Sequence, residues 1–180
     1  GNPEEVALQG TRLRRLPRVF ALFGATLRKV DLSHCRLEEL EPMKALTELP
    51  RLKVLDLSFN RLAVLPEALG RDVALEELDV TANRLAAFPA DISAWSHSLT
   101  KLIARGNMLR ELPDPFLGAL RALRVLNVGE NGIAALGDGI AGCPALEKLG
   151  LARNLLRGLP GGLEGCGRLR VVGLGVNLME

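Results

Sequence analysis

Apolar residues return along this chain in a fixed frame. From Leu52 the sequence runs LKVLDLSFNRL, with apolar side chains at the first, fourth, sixth and eleventh places and an asparagine at the ninth. The frame recurs as LEELDVTANRL from Leu75, LTKLIARGNML from Leu99 and LRVLNVGENGI from Leu123. LEKLGLARNLL from Leu146 and LRVVGLGVNLM from Leu169 follow. LRKVDLSHCRL from Leu27 is an earlier copy with Cys35 at the ninth place, and EEVALQGTRL is a decayed first copy with Thr11 in that register. The L-x-L step has period two, so Leu55 and Leu57 point to one face of a short strand and the residues between them to the other. No such strand buries its apolar face alone. Stacking successive units in parallel does, which predicts a solenoid with a continuous leucine core.

The eight units span 3–26, 27–51, 52–74, 75–98, 99–122, 123–145, 146–168 and 169–180. No long linker separates them, so a single domain is expected over 1–180. The last unit reaches Glu180 without the polar cap that solenoid ends need, and the repeat is expected to continue or be covered beyond it.

The polar ninth place asks for a reason. Asn60, Asn83, Asn107, Asn131, Asn154 and Asn177 recur every 23 or 24 residues amid leucines. A chain turning away from a buried strand leaves backbone N–H and C=O groups to be satisfied, at about 1–3 kcal/mol for each one left unpaired. An amide side chain offers donor and acceptor together. The six asparagines are therefore expected to form a structural ladder, bonding backbone above and below, with Cys35 and Thr11 as lesser substitutes.

This frame resembles the leucine-rich repeat family over nearly the whole chain. Leu16-Pro17, Leu65-Pro66, Phe88-Pro89, Leu112-Pro113 and Leu159-Pro160 follow the frame, which makes the units similar to the intracellular, 23-residue Ras-suppressor and plant Ras-group type. The resemblance implies an α/β fold: a curved right-handed horseshoe of about eight repeats. Parallel strands would line its concave face, with short helices, 3-10 turns or extended turns on its convex face. It also implies a protein partner, with small GTPases, phosphatase subunits and kinases as candidate classes. The return segments are short; 41–51 (EPMKALTELPR) is the best helix, with Pro42 in its first turn and Met43, Leu46 and Leu49 on one face.

Composition adds exclusions. Aromatic residues are 3% of the chain and tyrosine is absent, so the core must be aliphatic. With 23 basic against 21 acidic residues, nothing calls for nucleic acid or an anionic membrane. No apolar run approaches the ~20 residues of a membrane span, so no insertion is expected. Gly1 heads no lipidation motif, because Glu5 stands where Ser or Thr is wanted. The two histidines, His34 and His97, lie on different faces, and no glycine-rich phosphate loop follows a strand, so neither a metal, a cofactor nor an enzyme is expected. Cys143 and Cys166 share an inward register. Three cysteines without Cys-x-x-Cys spacing point to a reducing, cytoplasmic setting.

Binding is expected on the concave face, at the third, fifth and seventh frame positions and at the eighth, where the strand ends. Asp31, Asp56 and Asp79 make an acidic row that a partner's cation would relieve. Phe59, Glu77, Lys101, Ile103 and Arg105 complete the candidate contacts. A second row, Arg12, Arg36, Arg61 and Arg84, follows the asparagine register. Late strands carry glycine, alanine and valine, a smooth surface for close contact. The function expected is a non-enzymatic interaction module or signalling scaffold. The alternative is the substrate-recognition part of a larger enzyme, a ubiquitin ligase or a kinase.

Overall fold

The computed structural model describes residues 3–179. Gly1 and Glu180 lie outside the described residues. Eight strands of three residues pair in sequence order: β1 (Glu5–Ala7), β2 (Lys29–Asp31), β3 (Val54–Asp56), β4 (Glu77–Asp79), β5 (Lys101–Ile103), β6 (Val125–Asn127), β7 (Lys148–Gly150) and β8 (Val171–Gly173). Every pair is parallel and in a single register, so equal frame positions stand side by side. The sheet is open, and the fold is a solenoid of about eight repeats with the strands on its concave face.

The strands are short because the chain leaves the sheet at the eighth frame position. His34, Phe59, Ala82, Glu130, Arg153 and Val176 have φ between 54° and 59°, and Gly10 and Gly106 sit at 75° and 68°. The left-handed region costs a non-glycine residue about 1–2 kcal/mol. The hydrogen bonds of the adjoining ninth position offset that cost.

Beneath the strands lies an almost wholly aliphatic core. Leu55, Leu57, Leu62, Leu78, Leu102 and Leu126 are fully buried, as are their counterparts in neighbouring repeats. The aromatic exceptions are Phe20, Phe116 and Trp95, of which Trp95 is the largest fully buried side chain. Its indole N–H donates to the Val73 carbonyl at 3.1 Å, which satisfies its one polar atom. Burial weakens at the last repeat: Val172 stands beside Leu149 in the sheet, yet is 38% exposed against 1%.

The convex side carries α1 (Lys44–Thr47), α2 (Glu67–Asp72) and α3 (Asp114–Ala119), with 3-10 turns at Arg18–Leu22, Asp138–Gly142 and Gly161–Gly165. The helix expected over 41–51 shortens to the single turn of α1. Pro42 lies outside it, because Met43 is the N-cap and the Glu41 carboxylate accepts the Met43 N–H at 3.1 Å. Met43, Leu46 and Leu49 are nonetheless buried together. Among the described residues no helix is long and apolar enough to cross a membrane.

Candidate functional site

The turn that ends each strand is held from inside by the asparagines. Asn60 Oδ1 accepts the N–H groups of Cys35 and Leu37 at 3.1 and 2.8 Å, and its Nδ2 donates to the carbonyls of Leu32 and Leu57. Asn83, Asn107, Asn131, Asn154 and Asn177 repeat the arrangement, each donating to its own sixth-place carbonyl and to that of the preceding repeat. Each amide thus reaches one way only, toward the preceding repeat, not both ways. In the second unit Cys35 replaces the amide: its thiol donates to the Leu8 carbonyl at 3.0 Å and lies 3.3 Å from the Thr11 hydroxyl.

The other two thiols are similarly occupied. Cys143 donates to Leu117 O at 3.2 Å and Cys166 to Ile140 O at 3.3 Å, and neither is in a disulfide. Burial pushes the Cys143 thiol up to about 12, so it stays protonated and inert at neutral pH.

The outer strand face is where exposed chemistry collects. Asp31, Asp56 and Asp79 stand side by side in register, half-exposed. Each carboxylate accepts the backbone N–H two residues on: Ser33 at 2.9 Å, Ser58 at 2.8 Å and Thr81 at 2.8 Å. This is the Asx turn, in which a short acidic or amide side chain folds back on its own backbone. The row therefore shapes the strand end as well as presenting charge. Its sequence signal is Asp-x-Ser/Thr. At the same position Asn127 accepts the Gly129 N–H at 3.0 Å with a neutral amide. The turn also explains why Ser33 and Ser58, expected to be exposed at the seventh position, are buried.

Cations flank the row. Lys29 Nζ lies 2.7 Å from Glu5, and Lys101 Nζ lies 3.2 Å from Glu77. Hydrogen bonding to Glu5, and then its charge, raise the Lys29 pKa, with smaller help from Asp31 and Asp56. A shallow hollow of about 180 Å³ opens among Lys29, Val54, Asp56, Glu77, Asp79 and Lys101. Ile103 interrupts the acidic row, standing between Asp79 and Asn127. Phe59 is 50% exposed and stacks on His34, ring centroids 4.3 Å apart and planes 5° from parallel. That pairing follows from the shared left-handed turn, which aims successive eighth-position side chains the same way.

Arg105 lies further along, away from the acidic row. It bonds Glu130 at 2.8 Å, and Arg153 reaches the same oxygen at 3.5 Å. The hydrogen bond from Arg105 holds the Glu130 carboxyl below its usual range. Of the arginines behind the asparagine register, Arg61 meets Glu38 at 3.6 Å, so that row is partly neutralised from its own side. A hollow missed from the sequence lies on the convex side, about 310 Å³ beside the stacked Phe88 and Phe116 rings, 4.8 Å apart.

Comparison with known proteins agrees with this architecture. Residues 25–85 match the leucine rich repeat family model. A plant peptide hormone receptor, RGFR1, solved in complex with RGF2, superposes with a TM-score of 0.75 at 22% identity, over 98% of this chain and 29% of that one. This chain is a leucine-rich repeat solenoid. As a leucine-rich repeat chain it is also similar to the platelet glycoprotein Ib alpha chain of Canis lupus familiaris, with 40% identity over 109 residues, 59% of this chain. The leucine-rich repeat serine/threonine-protein kinase 1 of Mus musculus is 29% identical over 140 residues, 74% of this chain. The chain spans 16% and 7% of the lengths of those two relatives.

Proposed function

We propose that this leucine-rich repeat chain is a non-enzymatic interaction module that grips a folded protein partner with the outer face of its sheet. One observation carries the reading. Over a core kept constant from repeat to repeat, the outer positions of an unbroken eight-stranded sheet change in charge and size along its length, from Asp56 and Glu77 to Ile103 and Arg105. Binding chemistry concentrates where a rigid scaffold presents variable side chains. Asp31, Asp56, Phe59, Glu77, Asp79, Lys101, Ile103 and Arg105 are the contacts, with Phe59 as the apolar anchor among charges.

The finer reading follows the 23-residue units: an intracellular scaffold of the Ras-suppressor type, working in the cytoplasm in signalling, with a small GTPase, phosphatase or kinase as partner. Three buried thiols, none in a disulfide, support a reducing setting. A second reading makes the chain the substrate-recognition part of a larger enzyme. The likeness to a protein kinase of which it spans 7% favours that alternative.

The test is capture of partner proteins by the wild type and by an Asp56→Asn, Glu77→Gln, Asp79→Asn variant. Asparagine keeps the acceptor that holds the strand-end turn, as Asn127 shows, and removes only charge. A protein captured by the wild type and lost by the variant, with unchanged thermal unfolding, is the expected result. Equal capture by both would exclude the acidic row as a contact.

A further inference from the structure

The outer face is electrically divided, and the whole-chain net charge of +2 conceals it. On β1–β4, up to the eighth frame position, stand five carboxylates, Glu5, Asp31, Asp56, Glu77 and Asp79, against one cation, Lys29, while Arg12, Arg36, Arg61 and Arg84 follow two places further on, behind the asparagine register. On β5–β8 and their turns stand four cations, Lys101, Arg105, Lys148 and Arg153, against one carboxylate, Glu130. At ~4.8 Å between strands the centres of the two halves lie roughly 19 Å apart. That exceeds the ~8 Å screening length of physiological salt, so a ligand meets two separate fields.

The positive half has a built focus. Arg105 and Arg153 converge on a single oxygen, Glu130 Oε1. A guanidinium has five N–H donors, so most of their capacity faces water. Asn127 spends its Oδ1 on the Gly129 N–H, and its Nδ2 has no protein partner among the described residues. The floor beneath is bare backbone at Gly129, Gly150 and Gly173, and the hollow measures about 290 Å³. A Cβ on Gly150 would lie 2.7 Å from Asn127 Oδ1, so no side chain can fill it without moving the amide.

Resting on the strand-face reading above, we propose that this hollow takes the carboxylates of an acidic segment of a protein partner. Arg105, Arg153 and Asn127 are the donors. Glu130 stands in the unbound protein where the partner's carboxylate comes to lie. Paired guanidiniums suit carboxylate because their planar forks donate two parallel hydrogen bonds. A nucleic acid fits poorly, since its charge continues at every step and would run onto the five carboxylates of β1–β4. The partner segment is acidic over β5–β7 and neutral or basic toward β2–β4. About six extended residues at ~3.3 Å each cover four strands.

The test uses fluorescence anisotropy with three labelled probes: a Glu/Ser peptide and a Lys/Ser peptide, each of about six to eight residues, and a short DNA duplex. Arg105→Ala with Arg153→Ala is expected to weaken the Glu/Ser peptide at least tenfold and leave the Lys/Ser peptide within twofold. Arg121→Ala with Arg157→Ala, which removes the same charge away from the strand face, is expected to change neither by more than twofold. Glu130→Gln is expected to tighten the Glu/Ser peptide several-fold by removing the resident competitor. The proposal is overturned if the two arginine pairs act alike, if Glu130→Gln fails to tighten binding, or if the duplex binds as well as the peptide and is lost with it. Indifference of the Glu/Ser peptide to Arg105 and Arg153, alongside loss of the captured partner in the Asp56, Glu77, Asp79 variant, would remove this inference and leave the strand-face reading standing. A captured partner indifferent to both sets of changes would remove the strand-face reading itself.

Discussion

The strand side and the return side of each repeat answer to different constraints. On the strand side all eight units stand in register, each with a left-handed residue at the eighth place, the second unit adding Arg36, and six of them with an asparagine at the ninth. Among the described residues the return side has no common element: three short α-helices, three 3-10 turns, and in the fourth repeat only hydrogen-bonded turns around Trp95. Hydrogen bonding explains the regular side. Backbone groups at the turn have fixed positions and need partners at fixed distances, so one side-chain type serves every repeat. Volume filling explains the irregular side. Any set of apolar shapes that closes the space is acceptable, and each repeat finds its own.

Four substitutions would break or sharpen this contrast. The largest effect is expected where volume rules. Trp95→Ala should cost about 3–5 kcal/mol in urea unfolding, because the chain has nothing else of that size to refill the space. Asn60→Ala should cost about 2–4 kcal/mol, since it strips partners from two buried N–H groups and two carbonyls. It should also speed amide exchange selectively at Cys35 and Leu37. Uniform acceleration along the chain would mean that the ladder is not local, and a smaller loss for Trp95→Ala than for Asn60→Ala would invert the contrast.

A close approach on the return side gives a middle-sized effect. Gly139 N–H donates to the Asp114 carboxylate at 2.9 Å, and a Cβ there would lie 2.5 Å from Asp114 Cα. Gly139→Ala should therefore cost about 1–3 kcal/mol, as overpacking does. A neutral result would show that the convex turns slide freely past one another.

The smallest effect is titratable. Glu67 accepts the N–H groups of Asp91 and Ala90 from the next repeat, and those bonds hold its carboxyl below its ordinary value of 4.5. A carboxyl depressed in the folded state stabilises above its unfolded value and loses that contribution as pH falls through the folded one. The stability difference between wild type and Glu67→Gln should be present at pH 7 and shrink below about pH 4.5. A difference independent of pH would assign Glu67 a packing role instead.

Much of this could be read before any coordinates. Period-two leucines around a recurring asparagine gave the strands, their parallel register and the inward amides. The inward register of Cys143 and Cys166 was legible from Leu49 and Leu120 at the same place in other units. The Asx role of Asp31, Asp56 and Asp79 was legible in principle from Asp-x-Ser/Thr, although the same pattern reads equally as a row of exposed charge. The Phe59–His34 stack and the convergence of Arg105 and Arg153 on Glu130 were not legible. Each joins residues 23 or 25 positions apart, and depends on side-chain directions that spacing alone does not give.

By itself the sequence determined the repeat, because burial periodicity and the need to satisfy turn backbone are local demands that each unit meets with its own residues. Only the tertiary structure decided which helix survives in 41–51, how Trp95 fills a helix-less return, and where the outer charges pair. Those outcomes depend on neighbouring repeats brought within ~5 Å by stacking, and no single unit contains the information to fix them.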